Sequence, residues 1–137
     1  MKWHFRLSFF VLALAVLPLH AQQTNLLARG KYLVESAGAC ADCHTARDWK
    51  GTPDRDHWLG GAKLDFKPAR LMPWAEMAPP IAGLPQFAKD EQATKFFETG
   101  INSAGKSCSP PMPQYRFNHD DAQAIVAYLR SLSPLKK

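Results

Sequence analysis

The chain has only three cysteines among its 137 residues. Because an odd number cannot be fully paired, the sequence excludes a disulfide framework as the scaffold of the fold. It also lacks internal repeats, low-complexity tracts and the alternation of apolar and polar residues that is typical of strands. These absences leave a small domain whose regular structure we expect to be helical.

No apolar run reaches the ~20 residues that are needed to span a bilayer. The longest, from Leu7 to Leu17, follows two positive charges and precedes a small residue, Ala21, at which a signal peptidase could cut. This order predicts a secretory signal peptide over residues 1–21 and one mature domain over residues 22–137. We therefore expect export to the periplasm without a membrane span, and an uncleaved N-terminal anchor is the alternative.

The charge balance shows no strong excess of one sign. The formal net charge of +5 falls to +3 when Lys2 and Arg6 leave with the signal peptide. This value gives no support for nucleic-acid binding and little for attraction to acidic membranes. Three basic residues that lie close in sequence, Lys63, Lys67 and Arg70, are interpreted as part of a solvated loop.

Helical periodicity marks three segments. In the first, residues 25–37, apolar residues share one face, Asn25 is a candidate N-cap and Gly38 a stop signal. The second helix is predicted over residues 89–98, with Gly100 at its C-terminal end. The apolar residues that we expect to face inward from these two helices are Leu26, Leu27, Leu33, Val34, Ala93, Phe96 and Phe97.

The third helix, over residues 122–132, has the clearest start signals. Asn118 can cap its N-terminus, and the acidic pair Asp120 and Asp121 complements the positive end of the helix dipole. Between the first two helices, residues 45–85 carry too many glycines and prolines for long elements. Because such long loops are uncommon in small domains, we expect a large, flat, apolar cofactor to organise this segment.

One short motif carries the chemistry, Cys40-Ala41-Asp42-Cys43-His44. The pattern CxxCH is typical of the attachment of a c-type haem. Two thiols on one helical turn can add to the two vinyl groups of a porphyrin, which gives two thioethers, and the adjacent imidazole is then the proximal iron ligand. Since the motif occurs once, we expect one haem c, and Cys108 as the remaining free thiol.

The same residues leave two alternatives open. A CxxC pair can be a redox disulfide, although this is expected within a thioredoxin-like strand–helix unit, which the sequence does not show. Cys40 and Cys43 could also be half of a zinc site that His44 and Cys108 complete. Adjacent cysteine and histidine ligands are, however, awkward in one tetrahedron.

Five stretches of the chain resemble the class I, monohaem cytochromes c, in particular the cytochrome subunits of bacterial periplasmic dehydrogenases. They are Arg29-Gly-Lys-Tyr-Leu, Cys40-Ala-Asp-Cys-His-Thr, Met77-Ala-Pro-Pro-Ile-Ala-Gly, Pro111-Met-Pro-Gln-Tyr and Asp121-Ala-Gln-Ala-Ile-Val-Ala-Tyr-Leu-Arg-Ser-Leu. The resemblance implies that residues 22–137 form an all-α cytochrome c fold, with three to five helices and long loops around one covalently bound haem.

The resemblance also implies the second axial ligand. In such cytochromes a methionine in a proline-rich loop before the last helix binds the iron opposite the histidine, and Met112 stands at this position. Its flanking prolines would stiffen the loop. Four other side chains could compete with Met112 for the iron. We expect the two methionines to line the pocket as apolar side chains and the two histidines to be exposed to solvent. His57 is the next candidate ligand. These competitors are Met72, Met77, His57 and His119.

Two further contacts follow from the resemblance. Gly30 of the first helix would allow the last helix to cross closely near Tyr128. In many members a Gly-Pro pair soon after the motif supplies a carbonyl to the proximal histidine. Here Gly51-Thr52-Pro53 matches only approximately, so the expected acceptor for His44 Nδ1 is not assigned.

With both axial positions filled by protein ligands, the predicted role is transfer of single electrons and not catalysis. We expect a dehydrogenase as donor and an oxidase or another cytochrome as acceptor, for which the three basic residues could be a docking face. Without the Met112 bond, the haem could instead serve as a ligand sensor or a small haem enzyme. Arg70 and Trp74 are candidate donors to haem propionates, and Cys108 is expected to be buried.

Overall fold

The computed structural model describes residues 23–132, so the predicted signal peptide lies outside the described residues. Within this range the structure has four α-helices, two very short strands and long loops, which confirms the all-α prediction. The helices are α1 (residues 23–32), α2 (Cys40–His44), α3 (Asp90–Thr99) and α4 (His119–Ser131), and the strands are β1 (Ala62–Lys63) and β2 (Met77–Ala78).

Helix α1 is already formed at residue 23, so the prediction that Asn25 caps its N-terminus is wrong. At its C-terminal end the helix widens into a π-helical turn, Leu33–Ala37. Gly38 ends this turn, as predicted, and its N–H donates to the carbonyl of Leu33 at 2.7 Å. Ala39 then takes a left-handed conformation, with φ of 47°, and redirects the chain into α2.

Helices α3 and α4 are bounded by the signals that the sequence contains. Gly100 ends α3 with φ of 69°, and its N–H donates to the carbonyl of Phe96 at 2.7 Å. Asn118 caps α4, because its side-chain oxygen accepts a hydrogen bond from the N–H of Asp121 at 2.8 Å. Both caps confirm the sequence-based expectation.

The apolar faces of the π-helical turn, α3 and α4 meet in one core. Leu26 is an exception to the predicted inward face, since it is 37% exposed. Within residues 23–132 no helix is long and apolar enough to cross a membrane. The buried apolar residues of the π-helical turn, α3 and α4 are Leu33, Val34, Ala93, Phe97, Ala122, Ala124, Ile125, Val126, Tyr128 and Leu129.

The close crossing of α1 and α4 confirms the role expected of Gly30. A Cβ atom at this position would lie 2.0 Å from the carbonyl oxygen of Ala124 and 2.7 Å from Cβ of Tyr128. The two helices are also joined at their surface, where Arg29 Nε and Nη2 donate to the carboxylate of Asp121 at 2.8 and 3.0 Å. The first and last described helices are thereby fixed against each other.

The two strands were not predicted, because each is two residues long and too short to show an alternating pattern. They pair antiparallel, with Ala62 opposite Ala78 and Lys63 opposite Met77. The N–H of Leu64 also donates to the carbonyl of Glu76 at 2.9 Å. This bond closes the base of a loop of residues 65–75, which we call the 65–75 loop.

Candidate haem-binding site

The two motif cysteines lie on the single turn of α2, three residues apart, and positions at this spacing are neighbours on one face of a helix. Both are half-buried, and both carry unpaired thiols. Burial raises the pKa of the Cys40 thiol to about 11. The structure therefore presents two adjacent, unpaired thiols, as attachment of a haem through two thioethers requires.

His44 is the last residue of α2 and is buried. Its Nδ1 lies 2.7 Å from the carbonyl oxygen of Pro79. A carbonyl oxygen only accepts hydrogen bonds, so Nδ1 carries the proton and Nε2 keeps its lone pair. Burial lowers the pKa of His44, against a smaller opposite effect of the Pro79 carbonyl. The imidazole is therefore a neutral ring in the tautomer that binds a metal through Nε2.

Pro79 supplies the carbonyl that sequence analysis left unassigned, and the approximate match Gly51-Thr52-Pro53 does not. The N–H of Gly61 donates to the carbonyl of His44 at 2.8 Å, and β1 follows at once. A Cβ atom on Gly61 would lie 2.9 Å from both Ala78 O and Pro80 N. This glycine therefore lets the chain after the motif approach the segment that contains Pro79.

Met112 lies half-buried in the loop between α3 and α4, residues 101–118, which we call the Met112 loop. The loop is bound to the rest of the domain on both sides of the methionine. Before it, the carbonyl of Pro110 accepts from the N–H of Ala75 at 2.7 Å, and after it the N–H of Phe117 donates to the carbonyl of Phe97 at 3.0 Å. Binding of iron by Met112 stays a prediction.

A second contact of this loop was not predicted. The hydroxyl of Tyr115 donates to the carbonyl of Gly38 at 2.7 Å, across 77 residues of sequence. Burial raises the pKa of Tyr115, and the nearby thiols Cys40 and Cys43 raise it further. The phenol therefore lies next to the attachment turn. The sequence signal was the position of the tyrosine in Pro111-Met-Pro-Gln-Tyr, which names no partner.

The competing side chains are all exposed. His57 and His119 are mostly exposed, as predicted, and their Nδ1 atoms bond to carboxylates of Asp54 and Glu98 at 2.6 Å each. Met72 and Met77, expected as pocket lining, are both exposed. They are thus surface methionines in this structure.

A cavity of about 540 Å³ lies under the 65–75 loop. Lys63, Lys67 and Arg70 line it and are exposed, in agreement with a solvated loop. The indole N–H of Trp74, a candidate propionate donor, instead donates to the carbonyl of Phe66 at 3.2 Å. Of the two candidate donors, Arg70 is the one whose hydrogen-bonding groups are not used within this loop.

The alternatives to haem find little support among residues 23–132. No three His, Cys, Asp or Glu side chains in this range come together as a possible metal site, so zinc has no complete ligand set there. Cys40 and Cys43 form no disulfide. Cys108 is half-buried, where burial was expected, and its partial burial raises the pKa of its thiol.

Comparison with known proteins agrees with this site. The family model described as cytochrome c matches residues 27–133. The chain belongs to the cytochrome c family. This membership implies covalently bound haem c, iron binding and electron transport, and it confirms the cytochrome c fold.

Several curated proteins are similar to this cytochrome. A diheme cytochrome c-type of Cereibacter sphaeroides is 52% identical over 117 residues, which are 79% of this chain and 36% of that protein. The fructose dehydrogenase cytochrome subunit of Gluconobacter japonicus is 28% identical over 113 residues, 76% of this chain and 21% of that protein.

A third relative is the alcohol dehydrogenase (quinone) cytochrome c subunit of Komagataeibacter europaeus. It is 33% identical over 123 residues, which are 80% of this cytochrome and 25% of that protein. This cytochrome therefore spans between a fifth and about a third of the length of these relatives. The predicted resemblance to cytochrome subunits of bacterial dehydrogenases is confirmed.

Proposed function

We propose that this cytochrome transfers single electrons through one haem c, attached by Cys40 and Cys43 and bound at the iron by His44 and Met112. Bound haem supplies the one-electron couple. The observation that carries the proposal is the hydrogen bond between His44 and Pro79. It leaves Nε2 of a buried, neutral imidazole available for a metal beside two unpaired thiols.

The protein side chains then have defined tasks. The Pro79 carbonyl orients His44 and raises the basicity of its second ring nitrogen. Met112 offers a thioether, a ligand that raises the reduction potential. Two protein ligands would keep small molecules away from the metal, so we propose an electron carrier and no catalytic residue.

The motif supports the proposed number of haems. One CxxCH occurs in the 137 residues, and this supports a single haem for this chain. The relative named as a diheme cytochrome is matched over only 36% of its length. A single haem here is therefore compatible with two haems in the longer protein.

The proposed partners are redox proteins, without nucleic acid. Three of the relatives are named as cytochrome subunits of fructose or alcohol dehydrogenases. We propose a dehydrogenase as electron donor and an oxidase or another cytochrome as acceptor. The proposed place is the periplasm, reached through the signal peptide of residues 1–21, with an uncleaved anchor as the alternative.

The test is spectroscopy of the chain expressed with the haem-maturation machinery. We expect haem that resists acid–acetone extraction, one per chain, and a charge-transfer band of methionine bound to ferric iron. Met112→Ala should abolish this band, while the matched control Met72→Ala, a change at an exposed methionine, should leave it intact.

Two results would contradict the proposal. Extraction of the haem into acid–acetone would exclude thioether attachment. Ready binding of carbon monoxide by the unmutated ferrous protein would show an open sixth position and favour the sensor or small haem enzyme.

A further inference from the structure

Tyr115 connects the Met112 loop to the turn that carries the haem-attachment cysteines. It follows Met112 by three residues, and its hydroxyl donates to the carbonyl of Gly38 at 2.7 Å. Gly38 in turn precedes Cys40 by two residues. One hydrogen bond therefore spans from the loop of the proposed sixth ligand to the proximal side of the site.

The acceptor end of this bond is fixed. The N–H of Gly38 donates to the carbonyl of Leu33 at 2.7 Å, which ends the π-helical turn. A Cβ atom on Gly38 would lie 2.8 Å from the same carbonyl oxygen and 3.3 Å from Cys40 Sγ. The carbonyl that Tyr115 binds thus belongs to a tightly packed segment beside the first attachment cysteine.

The donor end is held by packing as well. The Tyr115 ring stacks on Phe117, with centroids 5.2 Å apart and planes at 23°, and the N–H of Phe117 donates to the carbonyl of Phe97. The ring therefore has support that does not depend on its hydroxyl. A phenylalanine at position 115 would keep the stacking and lose only the hydrogen bond to Gly38.

We propose that Tyr115 is a positioning residue that holds Met112 on the iron. Met112 lies between two attachments, the Pro110 carbonyl bonded to Ala75 and the Tyr115 hydroxyl bonded to Gly38. The second attachment closes the loop over the turn that carries the cysteines. This inference rests on the proposed function, because it assigns Tyr115 a task only where Met112 is the sixth ligand.

The test is Tyr115→Phe in the haem-loaded protein, with three readouts. Loss of one hydrogen bond of ordinary net strength shifts a local equilibrium about fivefold. We expect imidazole to bind the ferric protein about fivefold more tightly, since it competes with Met112 for the sixth position. The methionine-to-iron band should weaken and the reduction potential should fall, because the thioether is bound for less of the time.

Tyr32→Phe is the matched control. Tyr32 is 54% exposed on α1, and its ring lies against the guanidinium of Arg29. Removal of its hydroxyl should leave imidazole affinity, the band and the potential at their original values. Equal changes in both variants would show a general effect of tyrosine replacement and would overturn the inference.

The outcomes separate this inference from the proposed function. If Met112→Ala abolishes the band and Tyr115→Phe changes none of the three readouts, the role of Tyr115 is wrong and the ligation stands. If Met112→Ala leaves the band, both the proposed ligation and the role of Tyr115 are wrong.

Replacement of Tyr115 by 3-fluorotyrosine gives a further test. Its hydroxyl is a stronger hydrogen-bond donor, so the affinity of the protein for imidazole should not exceed that of the original protein. A higher value would also overturn the inference, even where Tyr115→Phe fails to take up haem.

Discussion

At the scale of single residues, two glycines mark close backbone approaches that shape the domain. Gly30 lies under α4, with no room for a Cβ atom against Ala124, and Gly61 lies against the segment that contains Pro79. The first approach brings the first and last described helices together. The second brings the acceptor of the His44 hydrogen bond to the end of the motif.

Gly30→Ala should destabilise the protein by about 1–3 kcal/mol, because the added methyl group forces α1 and α4 apart. The better helix propensity of alanine offsets only about 1 kcal/mol of this loss. Urea unfolding at neutral pH measures the difference. A free energy of unfolding equal to or above that of the original protein would show that the crossing is loose.

Gly105→Ala is the control for Gly30→Ala. Gly105 has φ of +73°, and a Cβ atom on it would have no neighbour within 4 Å, so the change adds backbone strain without a clash. We expect a loss of about 1 kcal/mol. A loss well above this value for Gly105→Ala would show that replacing a glycine in this domain is costly even without overpacking.

The site residues that could be predicted are those that lie close together in the sequence. Cys40, Cys43 and His44 form one motif, so their proposed roles follow from local order. Pro79 and Gly38 could not be assigned, because they meet their partners His44 and Tyr115 across 35 and 77 residues. Such contacts depend on how long irregular loops close, which no local periodicity encodes.

At the scale of elements, α4 is the best-defined part of the domain. Its N-terminus is capped by the Asn118 side chain, and Asp120 and Asp121 lie in its first turn. Its inner face, which includes Ile125 and Leu129, is buried. The cap and the buried face agree with the prediction, although the helix begins at His119 and ends at Ser131 and was predicted over residues 122–132.

Asn118→Ala should lower the free energy of unfolding by about 1 kcal/mol, because the N–H of Asp121 loses its acceptor at 2.8 Å. Gln123→Ala, at an exposed position of the same helix, should change it little. Chemical denaturation of both variants checks the expectation. Equal stabilities of the two variants would indicate that the cap contributes nothing beyond helix propensity.

Elements without such agreement were predicted less well. The N-terminal boundary of α1 was placed at Asn25, although helical residues already precede it. Strands β1 and β2 have two residues each, so no alternation could indicate them. The second error arises because pairing with another segment, and not local sequence preference, decides the backbone conformation of these strands.

At the scale of the whole molecule, polar contacts join the first helical segment to the last. The Arg29–Asp121 ion pair lies at one point of the crossing, and the Tyr128 hydroxyl donates to the carboxylate of Glu35 at another. The hydrogen bond from Arg29 lowers the pKa of Asp121. Because Arg29 stabilises the charged form of this carboxyl only in the folded chain, the contact makes stability depend on pH.

The direction in which stability changes with pH follows from the lowered pKa of Asp121. Below the ordinary carboxyl pKa of 3.8 the unfolded chain takes up the proton first, so the stabilisation by Arg29 is lost as the pH falls. Arg29→Met should therefore be less stable than the original protein well above this pH, and the gap should narrow in acid. Lys31→Met, an exposed change on the same helix, is the control. A gap that stays constant with pH would exclude the ion pair as its source.

The paired base of the 65–75 loop lies between most of this loop and His44. The bond between Leu64 and Glu76 and the β1–β2 pairing stand between residues 65–74 and Pro79, while the N–H of Ala75 donates to Pro110 in the Met112 loop. Lengthening such a loop costs little conformational entropy, about 0.6 kcal/mol for each doubling. Residues 65–69 are thus a place where an engineer can graft a new recognition segment, provided that the Ala75–Pro110 and His44–Pro79 hydrogen bonds are kept.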